Sequence, residues 1–537
     1  MAKKKSKATD KKTKGAKKEA KTANIAGIDL GTTFSALSIL NAIGKPEVVP
    51  NADGERLTPS AIFFDEEDRE IIRVGIEAVN SRHLNPERSV RWIKRHMGDA
   101  KYHKNIDGKD WTAAELSALI LKKLQQDSSA ELGEVRDVVI SVPAHFDEVR
   151  RKATMDAGSM AGLNVIGIVN EPVAAALYYA AGREVSGKVL VYDLGGGTFD
   201  VTILDVNGHQ MDIVCSQGDH ALGGIDFDNE ILKMLEQSYR EKFDAELINS
   251  DEDRAKYEDE AEDIKKTLSR RQSAKKMLYG PAGNVKVEIT RERFEKAISA
   301  LVSRTDILLD VALEEAGVKP SEIDTVLLVG GSTRIPLVRE GLKKKFGSEP
   351  EATVNVDECV GLGAALHAGL TMMREHPEAV PAGIIGGLQD INLTDVCNHS
   401  YGTICAPLDK ETGRRVVENR IILKKNTPLP CKATQMFYTM SEGQTELEVT
   451  VTQGEDTAVE YVNKIATHRF KLPEGRPAKC PVKVTYSYDV NQRMHCKFED
   501  VESGRVLEVD FCLGKDGEMS RGEVKEIAQK MEAVKVE

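Results

Sequence analysis

Two short stretches carry residues able to hold an anion. Residues 191–204 read VYDLGGGTFDVTIL and residues 26–40 read AGIDLGTTFSALSIL. In each, an apolar run ends in an aspartate (Asp193, Asp29), glycines follow, then hydroxyls (Thr198; Thr32 and Thr33), then a second apolar alternation. One Asp-Leu-Gly between apolar runs is an ordinary hairpin turn. Glycines at Gly31 and at Gly195, Gly196 and Gly197, however, let a ligand approach the backbone, so that peptide N–H groups converge on a phosphate. Two matched turns predict two lobes facing one ligand. Asp29 and Asp193 on opposing turns suit Mg2+, which keeps several waters and takes one or two carboxylates.

Positioning these turns requires strands on both sides of each, and the surrounding sequence supplies them. RDVVISVPAHF and KVLVYDL have the apolar content of buried strands, whereas AELSALILKKLQQDSSAEL and DFDNEILKMLEQSYREKF repeat apolar residues at helical period. Strands alternating with helices from Ile25 to about Met373 predict an α/β domain. After HPEAVPAGIIGGLQD the texture changes to short alternating runs, ELEVTVTQ, CPVKVTYSYDV, MHCKFEDV and RVLEVDFCL, which predict a separate all-β domain. The chain closes on SRGEVKEIAQKMEAV, where Ser520 and Glu523 have the spacing of a capping box.

A length of 537 residues predicts two or three domains, and 41% hydrophobic with 30% charged residues predicts soluble ones. No apolar run is long enough to span a bilayer. The first 21 residues hold ten lysines against Asp10 and Glu19, a solvated, disordered tail without the apolar core of a signal peptide. The net charge of −12 argues against nucleic acid as the main partner. Eight cysteines without C-x-x-C spacing exclude a metal or redox motif and predict free thiols in a reducing cytoplasm. GREVSGKV at 182–189 imitates a P-loop, but Val189 stands where Mg2+ needs a hydroxyl, and the segment precedes its strand.

The ordered set IDLGTTFS, VRWIKR, VPAHFDEVRRKAT, NEPVAAAL, DLGGGTFDVTIL, IKKTLS and LLVGGSTRIPLV resembles that of the DnaK-type heat-shock chaperones, from residue 25 to the end. The resemblance implies an actin-like two-lobed nucleotide-binding domain (24–382) after the tail (1–23), a linker (383–395), a β-sandwich peptide-binding domain (396–514) and a truncated lid helix (515–537). It implies ATP and Mg2+ as cofactors and slow ATP hydrolysis. Lys94 is expected at the γ-phosphate and attacking water, with Glu171 and Asp200 orienting the metal and water shell beside Asp193 and Thr198. Gly330, Gly331, Ser332 and Arg334, with Asp357 nearby, match the turn against the adenosine, and Glu262, Lys265, Lys266 and Ser269 match adenine and ribose contacts. Pro143 and Arg151 match a pair that relays nucleotide state; Leu447 matches the peptide pocket, Met440 and Ala406 the arch above it.

Several departures accompany the resemblance. Lys266 replaces an arginine that would stack on the adenine, which an ammonium cannot do. The chain stops within the first lid helix, and DINLTDV at 390–396 carries Asn392 and Thr394 in place of a leucine run, so weakened interdomain coupling is expected. Gly167 replaces an arginine that pairs with a J-domain co-chaperone. Two readings follow: an ATP-hydrolysing chaperone that binds extended apolar segments of unfolded proteins, or a weakly hydrolytic, nucleotide-binding scaffold in a chaperone complex. A monomer, a nucleotide exchange factor as partner and no specific nucleic acid complete the expectations.

Overall fold

The computed structural model describes residues 24–537 apart from 134, 182, 184, 353–354, 409–411, 491 and 511–519. The Lys-rich tail therefore lies outside the described residues, as does the predicted boundary at 514.

In the first lobe, the apolar runs Asn24–Asp29, Val135–Val142 and Asn164–Asn170 pair in parallel, and Phe34–Leu40 returns antiparallel on Asn24–Asp29. The strand Val135–Val142 is almost continuously buried because helices cover both faces of its sheet. Ala113–Leu132, started by the capping box Thr112/Glu115, packs with Glu148–Met160 around Ile28, Val138 and Ile140, while Glu171–Ala180 and Cys359–Glu375 pack together on the other face. The second lobe repeats the design: Ser186–Leu194 lies between Thr325–Val329, parallel, and Phe199–Asn207, antiparallel. Gly224–Phe243 and Arg291–Ala316 cover it around Tyr192, Phe199, Phe227 and Leu235. Each lobe thus ends a strand in Asp29 or Asp193 and turns back through its glycines.

Ala382–Leu388 is a helix whose Ile384 and Leu388 are buried with the nucleotide domain, and residues 383–388 of it fall within the expected linker. Its Gly383 lets the helix touch the main chain of Ala42, where a Cβ would come within 2.1 Å of a carbonyl oxygen. The remaining linker is also docked: Asn392–Thr394 adds a parallel edge strand against Gln210–Asp212. Asn392 and Thr394 do not prevent this, because an added strand is held by main-chain hydrogen bonds, while Leu393 packs on the core.

The all-β domain is a sandwich of two four-stranded antiparallel sheets, closed around Tyr401, Val451, Phe470, Tyr486 and Phe498. The last helix, Arg521–Glu532, has the predicted capping box. It packs on Glu148–Met160 of the first lobe, burying Val524 and Met531 in that lobe's core. Lys535–Val536 then pairs with Ile71–Ile72 of the first lobe, and Lys122 Nζ donates to the Val534 carbonyl at 2.8 Å. The segment expected as a lid is, in this structure, part of the nucleotide domain's surface and core. No helix among the described residues is long and apolar enough to cross a membrane.

Candidate functional site

A cavity of about 530 Å³ opens between the lobes. Of the residues predicted to touch nucleotide or metal or to act on it, all but Gly197 and Asp200 line its walls. The two turns meet at its floor so closely that side chains on the glycines are excluded. A Cβ on Gly196 would lie 2.2 Å from Thr33 Oγ1, and one on Gly197 2.6 Å from Thr32 Cγ2. The turns are braced from behind: Ser60 Oγ donates to the Gly31 carbonyl at 2.8 Å, Ser332 Oγ to the Gly195 carbonyl at 2.9 Å.

Charge on the floor is unbalanced. Glu171, Asp193 and Asp200 are buried together with one cation, Lys94, which pairs with Glu171, and half-buried Asp29 stands beside them. Burial, then the Glu171 charge, lifts the Asp29 carboxyl to about 6, although Ser141 Oγ donates to it at 2.9 Å. Burial, Glu171 and Asp29 push Asp193 well above its ordinary range. Burial, Glu171 and Asp193 do the same to Asp200, which also accepts from the His145 amide at 3.2 Å. Burial works against the Lys94 ammonium, but Glu171 and Asp29 more than offset it. Such an excess of buried negative charge fits a divalent cation.

The upper wall is built from the second lobe. Lys265 Nζ donates to the Gly224 carbonyl at 3.0 Å and to Asp228 at 2.7 Å. Ser269 Oγ donates back to Lys265 O, Glu262 pairs with Lys266 at 2.8 Å, and Arg334 holds Asp357 through two nitrogens. Lys266 is half exposed. Sequence reasoning missed Arg270, Phe34 and the apolar strip Val329, Ile335, Val356 and Val360, all of which also line the cavity. Arg270 sits one turn beyond Lys266, and that spacing was the available signal.

Arg151 lies outside the cavity, fully buried where the sandwich meets the first lobe. It donates to the carbonyls of Phe146 (2.9 Å) and Ala144 (3.2 Å), to Asn170 Oδ1 (2.7 Å) and to Gln492 of the sandwich. Gln492 in turn donates to Asp395 of the linker. Beside it, buried Glu148 accepts from Tyr401 (2.6 Å) and Tyr488 (2.8 Å), both of the sandwich. Pro143 contributes its carbonyl to the turn ahead of Arg151, accepting from the Phe146 amide. Gly167 is buried next to Val165 and Ile166, whose carbonyls accept from Arg493. In the sandwich, Leu447 is half buried opposite Phe470, Met440 is exposed, and the Ala406 carbonyl accepts from Arg415.

A model of the family described as Hsp70 protein matches residues 25–537. The proteins called chaperone protein DnaK of Thermotoga neapolitana, Thermotoga petrophila and Thermotoga sp. are each 38% identical over 499 residues, covering 90% of this chain and 79% of the relative.

Proposed function

The chain belongs to the Hsp70 family, and from that premise we propose that it is an ATP-dependent chaperone that hydrolyses Mg-ATP slowly in the cleft and binds extended apolar segments of unfolded proteins in the sandwich. One observation carries the first half: the carboxylates of Asp29, Glu171 and Asp193, with the Lys94 ammonium among them, face two glycine turns across one cavity. Mg2+, when bound by way of Asp29 and Asp193, would offset that charge and the charge of the phosphates. The glycine amides and Thr32, Thr33 and Thr198 hold the phosphates; Lys94, lent by Glu171, neutralises the γ-phosphate and orients the attacking water; Asp200 and Glu171 accept hydrogen bonds from that water's shell. As the water oxygen bonds to phosphorus, the bond from the γ-phosphorus to the β-phosphate oxygen breaks, one water proton passes to an oxygen of the departing phosphoryl group, and ADP and dihydrogen phosphate leave. Positioning alone supplies modest acceleration, so turnover is slow and set by closure of the lobes.

Peptide binding rests on Leu447 facing the sandwich interior, with Met440 and Ala406 at the rim. Partners of the same reading are a J-domain protein, docking without an arginine at 167, and a nucleotide exchange factor. Free thiols at all seven described cysteines suit action in the cytoplasm. A second reading, a weakly hydrolytic scaffold, is favoured by the tight seating of linker and sandwich on the first lobe through Arg151, Gln492, Asp395 and Glu148. Single-turnover hydrolysis of ATP, with and without an apolar heptapeptide and a J-domain protein, separates them. Stimulated turnover supports the chaperone; bound but unhydrolysed ATP in all mixtures supports the scaffold.

A further inference from the structure

The segment Arg91–Arg95 belongs to the first lobe, yet most of it reaches across the cleft. Arg91 pairs with Asp259 at 2.6 Å and Glu262 at 3.3 Å on the helix Asp251–Leu268. Arg95 donates to the Gly197 carbonyl at 3.2 Å and pairs with Asp226 in the first turn of Gly224–Phe243. Between them, Trp92 lines a small recess with Ile225, Asn229 and Leu232 of one second-lobe helix and Glu258 and Glu262 of the other. The Arg91 guanidinium lies 5.0 Å from its ring centre. The Trp92 backbone is left-handed, with φ 59° and ψ 26°. A bulky residue keeps that conformation only where its surroundings hold it. The peptide units that follow form the short turn Ile93–His96 that buries Lys94 against Glu171.

We propose that Trp92 is a positioning residue: seated in the second lobe when the cleft is closed, it holds the left-handed turn that places Lys94, and it slows release of nucleotide. Opening of the lobes empties the recess and frees the turn, so closure and placement of the ammonium become one event. The proposal rests on the nucleotide reading of the cleft.

The test uses the full chain and a fluorescent ADP analogue chased with unlabelled ADP in stopped flow. Trp92→Gly, which relieves the backbone and removes the ring, is expected to speed release about tenfold, with Trp92→Phe within about twofold of wild type. Trp92→Asn, tolerated in the left-handed region, replaces the glycine variant should that variant fold poorly. A residue that merely supported the fold would lower the urea midpoint without changing release. The chain has two tryptophans, the other being buried Trp111, so a change in tryptophan emission on adding Mg-ATP should vanish in Trp92→Phe. Unchanged release in both small variants, with the analogue still bound, overturns the role of Trp92 alone. Failure of the analogue to bind wild type overturns the nucleotide reading and the proposal with it.

Discussion

Replacing Arg151 by methionine keeps most of its volume and removes every donor it offers. Three of its four acceptors, Phe146, Ala144 and Asn170, belong to the nucleotide domain and stay beside it whether or not the sandwich is docked. Only the bond to Gln492 crosses the interface. Loss of that one charge-assisted bond is expected to weaken docking by about 1.5–3 kcal/mol. At tenfold per 1.4 kcal/mol, the undocked fraction should rise about 10- to 150-fold. The linker reports on this directly, because Asn392–Thr394 cannot enter a protease while paired with Gln210–Asp212. When opening and closing are fast, cleavage follows the open population. Proteinase K cleavage of the linker, followed on gels, should therefore accelerate by the same factor. Gln492→Ala should produce a similar acceleration, and the double variant little more. Additive effects, within about 0.5 kcal/mol, would show that the two side chains do not act through each other and would refute the reasoning.

Lys94→Met leaves the buried Glu171 carboxylate without its cation and should cost about 3–5 kcal/mol in urea unfolding, most of it recovered by adding Glu171→Gln. Asp193→Asn should reduce single-turnover ATP hydrolysis by about 100-fold or more, while leaving the melting temperature at or above wild type because repulsion with Glu171 and Asp29 is relieved. Burial, then the nearby Lys425 and His220, pull His145 down to about 4, against the opposing pull of Asp219 and Asp147. Its imidazole thus takes a proton below about 6.5 when unfolded but only near 4 when folded, so stability falls across that window by about 3 kcal/mol. Urea midpoints between pH 7 and 4 should show this slope, and His145→Gln should make it shallower, with buried His399 and His367 supplying the remainder.

Much of the floor of the cleft was legible because its chemistry is written contiguously. An aspartate, glycines and hydroxyls within a few residues define each turn whatever lies around them. Lys94 was not legible from its own neighbourhood: WIKRHMG has no feature that distinguishes a buried ammonium from a solvated one, and only Glu171, 77 residues on, buries it. The docking of the linker was not legible in its side chains, for a physical reason. Side-chain polarity at Asn392 and Thr394 says nothing about main-chain pairing, which any sequence can offer to an exposed edge. Most of AGIIGGL falls in the expected linker, yet its Gly383 serves close packing against Ala42. For the last helix, the capping box fixed where it starts, while nothing within its own sequence separates the expected lid from the place it takes on the first lobe.

The strand Lys535–Val536 also has a consequence in time. It completes a sheet with Ile71–Ile72, and 465 residues separate Lys535 from its ion-pair partner Glu70. At ribosomal rates of about 5–20 residues per second, the earlier strand waits about 25 to 90 s for its neighbour to be made. Throughout that interval the first lobe presents an unpaired edge and lacks Met531 and Val536 from its core. The first lobe therefore closes its sheet and completes its core only after Lys535–Val536 has been made.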